Sequence, residues 1–110
     1  MTYPEAIKYL DSFINFEKTG EYNYRTSLKL ERMKRLAALL GDPQDATRSI
    51  HIAGSKGKGS TASYVHSILK HADFKVGLYT SPHLITFRER IRIDGELINE
   101  EDLSVPIHIL

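Results

Sequence analysis

The segment that decides the fold is HIAGSKGKGST, residues 51–61, in which three glycines separate a short apolar stretch from a run that can begin a helix. A loop between a strand and a helix wraps a phosphate only if its backbone comes close, so glycine is needed where a Cβ would collide. The N–H groups of the loop and of the first helical turn then point at the anion. A lysine adds a mobile positive charge and a hydroxyl can ligate Mg²⁺. Gly57, Lys58, Gly59 and Ser60 supply this chemistry in the required order.

The spacing of this loop departs from the standard G-x-x-x-x-G-K-[ST] pattern. If Gly57 and Lys58 form the glycine–lysine pair, the first glycine belongs at position 52, which is Ile52, and the hydroxyl arrives one residue late. A dinucleotide-binding pattern, G-x-G-x-x-A, also matches residues 57–62, but it requires an acidic residue about 20 positions further on. Residues 79–82 contain no acid. A flexible glycine linker is the third alternative, and the strand predicted before the loop and the helix predicted after it argue against a linker.

Hydrophobic periodicity places this loop inside a larger pattern. Alternating apolar residues predict a strand over residues 49–53, helical spacing predicts a helix over residues 60–72, and a second apolar run predicts a strand over residues 75–79. A strand, a helix and a strand within about 30 residues have the size of one βαβ unit, whose two strands are parallel. Further along, Asp94-Gly95 between two apolar runs is a strong hairpin signal.

Helices are predicted at three other places. Thr2 and Glu5 have the spacing of a capping box at the start of a first helix. A second helix is predicted to begin near Ser27 and to end at Gly41, which is followed closely by a proline. Asn99 and Asp102 can cap a last helix. A basic cluster is interpreted as the solvated face of the second helix; its members are Arg25, Lys29, Arg32, Lys34 and Arg35.

Composition excludes several classes of protein. The chain has 110 residues, 15 of them basic and 14 acidic, so its formal net charge of +1 gives no electrostatic case for nucleic-acid binding. No cysteine is present, which excludes disulfides, thiolate metal sites and cysteine nucleophiles. His66 and His71 are five residues apart on a predicted helix and therefore do not form a metal-binding pair. Neither a signal peptide nor a membrane-spanning run is seen, so a cytoplasmic location is expected.

Two motifs together resemble the folylpolyglutamate synthase and dihydrofolate synthase family of the Mur-ligase superfamily. Residues 51–61 are similar to the family's phosphate loop, which explains the unusual spacing. Residues 77–84, GLYTSPHL, and residues 87–93, FRERIRI, look like its second strand, the loop that follows and the hairpin. The resemblance extends to about Leu103. The chain departs from the family in having Ser55-Lys56 where the loop usually has Thr-Asn, a change compatible with phosphate binding.

The resemblance implies an ATP-dependent amide ligase. In this family the γ-phosphate of ATP activates a folate carboxylate as an acyl phosphate, and the amine of L-glutamate displaces the phosphate. Some members also join dihydropteroate to glutamate. The alternatives are a non-catalytic remnant that binds nucleotide weakly and a Mur-type ligase for a different acceptor. The complete protein is expected to act as a monomer on small molecules, without nucleic acid or membrane as partners.

The family's site residues can be carried over only where the motifs match. ATP would be bound by the glycine loop and the start of the helix: Gly54, Gly57, Lys58, Gly59, Ser60 and Thr61. Ser60 and Ser81 would be Mg²⁺ ligands. Arg88 and Arg90 are interpreted as hairpin surface charge in preference to substrate contacts, His51 as a packed or edge histidine, and Tyr22 and Tyr24 as surface packing in preference to a pterin platform. The role of His83 and the identity of catalytic residues stay open.

The implied fold class is α/β: an incomplete P-loop Mur-ligase-like central domain with N-terminal helices, one βαβ unit and a β-hairpin. Family members have several hundred residues and a second domain. Residues 1–110 are therefore expected to be the N-terminal part of the ATP-binding domain, with its remainder and the C-terminal domain absent. Parallel strands are normally covered on both faces within a larger sheet, which supports the same expectation. The chain alone is not expected to catalyse ligation.

Overall fold

The computed structural model describes residues 1–13 and 29–109, with side chains described up to residue 105. These residues fall into two compact units, one formed by residues 1–13 and 52–109 and the other by residues 29–51. The first unit contains the glycine loop and both family motifs except His51. It is the unit that positions the candidate site.

The first unit consists of three α-helices and a small sheet. Its helices are α1 (Tyr3–Asp11), α3 (Lys58–His71) and α4 (Glu100–Ile109). The strands are β1 (Gly77–Tyr79), β2 (Ile91–Ile93) and β3 (Glu96–Leu97), and a 3₁₀ helix, Phe87–Arg90, leads into β2. The sheet order is β1-β2-β3 and both pairings are antiparallel.

The core of the first unit lies where α1 meets α4. Ala6 of α1 is completely buried and Leu103 of α4 is 5% exposed. Half-buried apolar side chains from α1, the 3₁₀ helix and the hairpin pack around this pair: Tyr3, Ile7, Leu10, Phe87, Ile91 and Ile98. This small cluster holds the N-terminal helix against the end of the described chain.

The capping interactions predicted from the sequence are confirmed at the starts of α1 and α4. The Glu5 carboxylate accepts hydrogen bonds from the Thr2 backbone N–H at 2.7 Å and from the Thr2 hydroxyl at 2.9 Å. These bonds hold the pKa of Glu5 below its usual value. At α4, the Asn99 side-chain oxygen accepts the Asp102 backbone N–H at 2.6 Å. Both caps follow the residue types read from the sequence.

The predicted hairpin is also confirmed. Asp94 and Gly95 connect β2 to β3 with φ angles of +50° and +89°, the left-handed values that a type I′ turn requires. The Asp94 side chain has a second role, because its Oδ1 accepts the Val76 backbone N–H at 2.8 Å. The turn is thereby tied to the residue that precedes β1.

The second unit contains α2 (Leu30–Leu39) and a 3₁₀ helix, Pro43–Ala46. The expected start near Ser27 lies outside the described residues, as does Arg25 of the basic cluster. The expected end is confirmed: Gly41 has φ +78°, its N–H bonds the Ala38 carbonyl at 3.1 Å, and the Asp42 N–H bonds the Ala37 carbonyl at 2.8 Å. These two bonds form a Schellman motif, which satisfies carbonyls that the helix end would leave unpaired.

The predicted βαβ unit differs from the observed topology. No strand forms over residues 49–53, and Ile50 is 65% exposed. Among the described residues β1 pairs with β2, antiparallel, and not with a parallel strand. Alternating apolar residues indicate a face that can be buried, but a strand exists only where a neighbour completes its hydrogen bonds. β1 finds that neighbour in the hairpin.

The helix after the loop and the second apolar strand are confirmed, with α3 beginning two residues before its predicted start. Within the described part of the chain, no helix is long and apolar enough to cross a membrane.

Candidate functional site

The glycine loop ends in a helix start whose first amides have no hydrogen-bond partner among the described residues. Gly57 is the N-cap of α3 and has φ +73°, a left-handed conformation in which any other residue is strained. The first helical hydrogen bond runs from the Thr61 N–H to the Gly57 carbonyl at 2.9 Å. The amides of residues 57–60 therefore precede the helical ladder and have no acceptor within the helix. They form a group of donors at the positive end of the helix dipole.

Lys58 ties the two ends of the loop together. Its Nζ donates a hydrogen bond to the Gly54 carbonyl oxygen at 2.7 Å. The side chain is exposed, and no carboxylate of the described residues lies within ion-pair distance of it. The structure thus brings Gly54, Gly57 and Lys58 together, with the positive charge at the mouth of the loop.

The space above the loop is open. A Cβ placed on Gly57 or on Gly59 would meet no atom within 4 Å. Neither glycine is therefore required by packing within the protein. Gly57 is required by its φ angle, and Gly59 leaves the backbone accessible to a ligand from outside.

The candidate metal ligands lie on two separate segments. Ser60 is an exposed residue in the first turn of α3, and Ser81 is exposed in the segment after β1, where the Ser81–Pro82 peptide bond is cis. Thr61, predicted to bind phosphate, has its amide engaged by Gly57, so only its hydroxyl is available. The described residues contain no cluster of three His, Cys, Asp or Glu side chains that could hold a metal. Two hydroxyls suit a Mg²⁺ ion that keeps several waters and takes phosphate oxygens as ligands.

A carboxylate that the sequence interpretation passed over organises the segment after Ser81. Glu89 accepts backbone N–H groups from Leu84 at 3.0 Å, Ile85 at 2.8 Å and Thr86 at 2.7 Å. These three bonds lower the pKa of Glu89 to about 2, and the bond from Thr86 has the largest effect. Thr86 and Glu89 have the T-x-x-E spacing of a capping box, and this signal could have revealed the arrangement.

This arrangement predicts a defined pH dependence of stability. Because the folded pKa of Glu89 is depressed to about 2 from 4.5, its stabilisation is complete above about pH 4.5 and is lost as the pH falls towards 2. Glu89→Gln should therefore lower the free energy of unfolding at pH 7, and its difference from wild type should shrink as the pH falls through this range. Urea denaturation at a series of pH values measures the difference.

Glu96→Gln, at an exposed position of the same hairpin, is the control. A stability difference between wild type and Glu89→Gln that does not change with pH contradicts the account.

Arg90 is a buried residue, so its interpretation as surface charge is wrong. It is 8% exposed, its Nε donates to His83 Nδ1 at 2.8 Å, and its guanidinium lies 5.1 Å from the centre of the Phe87 ring. The ring of His83 is 5.6 Å from that of Phe87. His83 therefore helps to order the segment after β1, a role the sequence left open. His51, expected to be a packed or edge histidine of a strand, is exposed, and no strand forms at its position.

Arg88 connects the hairpin to α4. Its Nε donates to the Ile98 carbonyl oxygen at 2.6 Å, and its Nη1 lies 3.9 Å from a carboxylate oxygen of Glu100. The exposed ion pair contributes little, whereas the half-buried bond to Ile98 fixes the end of β3. Tyr22 and Tyr24 lie outside the described residues.

Known proteins are similar to this chain in sequence and in fold. No family model matches the chain. A dihydrofolate synthase/folylpolyglutamate synthase of Bacillus subtilis is 43% identical over 89 residues, which are 81% of this chain and 21% of the relative. The solved folylpolyglutamate synthetase of Lactobacillus casei has a TM-score of 0.83 and 35% identity, covering 98% of this chain and 25% of that one. A folylpolyglutamate synthase in complex with AMPPCP and folate has a TM-score of 0.81 and 38% identity, covering 99% and 25%.

The structural similarities show that the chain has part of a Mur-ligase-like α/β fold. More particularly, it belongs to the folylpolyglutamate synthase/dihydrofolate synthase family, whose members are ligases. The chain spans about a fifth of the length of the Bacillus subtilis relative and a quarter of the two solved structures.

Proposed function

We propose that this chain is the phosphate-binding part of an ATP-dependent ligase that adds L-glutamate to the γ-carboxylate of folate. In this proposal residues 1–110 are the N-terminal part of the ATP-binding domain, and the other parts of the ligase supply the glutamate site. One observation carries it: a loop with Lys58 and with four helix-start amides that have no partner among the described residues, in a chain 38% identical to a synthase that binds AMPPCP and folate.

The proposed reaction has two steps. A folate carboxylate oxygen attacks the γ-phosphorus of ATP, the bond to the β-phosphate oxygen breaks, and an acyl phosphate and ADP result. The amine nitrogen of glutamate then attacks the acyl carbon, an amide forms, inorganic phosphate leaves and the amine gives up a proton.

In the first step the work of this chain would be to bind and orient the triphosphate. The amides of residues 57–60 would donate to its oxygens, and Lys58 would exchange the Gly54 carbonyl for a phosphate oxygen. Donors fixed in advance at a developing negative charge lower the barrier without reorganisation. The hydroxyls of Ser60, Thr61 and Ser81 complete the set of polar groups assigned to this site.

Mg²⁺ would be held by Ser60 and Ser81 together with phosphate oxygens and water. When bound, the ion would neutralise charge on the transferring phosphoryl group. The hydroxyl donor set and the absence of a competing carboxylate cluster in the described residues fit an ion that needs the nucleotide to complete its coordination.

A second reaction is favoured by one observation. The Bacillus subtilis relative is named for both dihydrofolate synthase and folylpolyglutamate synthase. The same loop would then also serve the joining of dihydropteroate to glutamate, because both reactions activate a carboxylate with ATP. The loop chemistry does not distinguish the two acceptors.

A chimaera tests this proposal. The matched 89-residue segment of this chain replaces the corresponding segment of the Bacillus subtilis relative, and incorporation of labelled glutamate is measured with tetrahydrofolate and with dihydropteroate. The active chimaera is expected to require ATP, and the same chimaera carrying Lys58→Ala is expected to be inactive. A chimaera that folds and binds folate but incorporates no glutamate contradicts the proposal. Full activity with Lys58→Ala contradicts the role of the loop.

A further inference from the structure

We propose that the first unit has a second binding site, an open cleft between α3 and the sheet that takes a small oxyanion, a phosphate or a carboxylate. The cleft has a volume of about 400 Å³ and is lined by residues of α3, β1, the segment after β1 and the hairpin. None of its lining residues belongs to the glycine loop. The lining shares no residue with the site assigned to ATP and Mg²⁺, and it comes nearest to that site along the chain at Thr80 and Pro82, which flank Ser81.

An unpartnered imidazole lines this cleft. His66 of α3 is 8% exposed, and neither Nδ1 nor Nε2 has a hydrogen-bond partner among the described residues. A buried polar group without a partner is costly, and native structures contain few of them. An oxyanion in the cleft would supply an acceptor for the imidazole N–H.

Arg92 lines the cleft and Lys70 lies beside the Gly95 turn at its edge, and among the described residues neither cation makes an ion pair. Arg92 of β2 lines the cleft, and its Nη1 makes only a long 3.4 Å contact with the Gly95 carbonyl oxygen. Lys70 of α3 approaches the same turn, because a Cβ placed on Gly95 would be 3.1 Å from its Nζ. Within the described part of the chain, neither cation has a carboxylate within 4.0 Å.

The single carboxylate that lines the cleft does not compete for these cations. Glu89 uses its two oxygens to accept the three backbone N–H groups of residues 84–86. The hydroxyls of Ser63 and Thr80 add further donors to the lining. A guanidinium, an imidazole and two hydroxyls line the cavity, and the Lys70 ammonium lies beside the Gly95 turn at its edge. These groups match the oxygens of a phosphate or a carboxylate group.

Residue-resolved NMR tests the site. The ¹⁵N-labelled chain is titrated with sodium phosphate, with sodium malonate and with sodium chloride at equal ionic strength. We expect saturable shifts of the Thr80, Arg92 and Gly95 amides with phosphate, malonate or both, and none with chloride. Saturation with one probe alone assigns the site to that chemistry. Shifts confined to residues 57–60 mean that the anion binds only the glycine loop, and this result overturns the proposal, as does the same response to chloride.

Variants separate binding from fold. Arg92→Gln should weaken the cleft response about tenfold or more, and Arg92→Lys should retain part of it, because the charge stays while the two-pronged geometry is lost. Lys70→Gln, at an exposed position, gives an independent test if the strand variants fail to fold.

His66→Leu should raise the melting temperature and weaken anion binding together, a pair of changes that a purely structural histidine does not predict. Arg32→Gln on α2 is the charge-matched control. Equal affinity in Arg92→Gln, Lys70→Gln and Arg32→Gln overturns the proposal.

Discussion

Lys58→Ala is expected to weaken the binding of AMPPCP by a factor of about 10 to 150, because a charge-assisted hydrogen bond to phosphate contributes about 1.5–3 kcal/mol. Lys58 already lies at the loop, where its Nζ bonds the Gly54 carbonyl at 2.7 Å. Exchange of that oxygen for a phosphate oxygen needs only a small movement of an exposed side chain. Isothermal titration calorimetry with AMPPCP measures the affinity.

The control for this variant is two residues away. Lys56→Ala removes the same charge from the same exposed loop, but the described residues show no hydrogen bond from the Lys56 side chain. We expect its affinity for AMPPCP to fall by less than about threefold, the scale of an exposed, screened charge. Equal losses in the two variants would mean that the loop attracts nucleotide through its general charge, and the specific role of Lys58 would then be wrong.

Leu103→Ala is expected to have the largest effect on stability. Leu103 is 5% exposed and, with Ala6, forms the buried centre between α1 and α4. Truncation of a buried leucine costs about 2–5 kcal/mol, from lost burial and from the cavity left behind. For a domain of this size the melting temperature should fall by about 10 °C or more. Thermal unfolding followed by circular dichroism measures this change.

The matched control is on the same helix. Val105 is 56% exposed, so Val105→Ala removes apolar atoms from α4 without emptying the core. Its melting temperature should stay within about 2 °C of wild type, since surface substitutions usually change stability by less than about 0.5 kcal/mol. A Leu103→Ala variant as stable as Val105→Ala would show that the packing of α1 against α4 does not support the fold.

Features that depend on near neighbours in the chain could be predicted from the sequence. The Thr2 and Glu5 cap, the Asn99 and Asp102 cap and the Asp94-Gly95 turn all involve residues at most three positions apart. At such short range the residue type largely fixes the hydrogen bond. The glycine loop and its helix were also predicted from adjacent residues, because the order of glycine, lysine and hydroxyl is local. The left-handed φ of Gly57 is a feature that the structure adds.

Features that depend on distant partners could not be predicted. The strand predicted over residues 49–53 has the right side chains but no observed ladder, while β1 pairs with the hairpin. Arg90 reads as a surface charge in a run of alternating basic residues, yet its 8% exposure follows from the rings of His83 and Phe87. In the sequence His66 is a polar residue on a predicted helix, and nothing near it in the chain indicates that it is buried. Its burial depends on the sheet that α3 covers.

In the proposed function, residues 57–61 hold the phosphates of ATP. A crystal structure of the chain with AMPPCP and Mg²⁺ tests it most directly. We expect phosphate oxygens within hydrogen-bond distance of the amides of residues 57–60, with the Lys58 Nζ moved from the Gly54 carbonyl to a phosphate. AMPPCP bound elsewhere on the chain, with Lys58 still on Gly54, would contradict it.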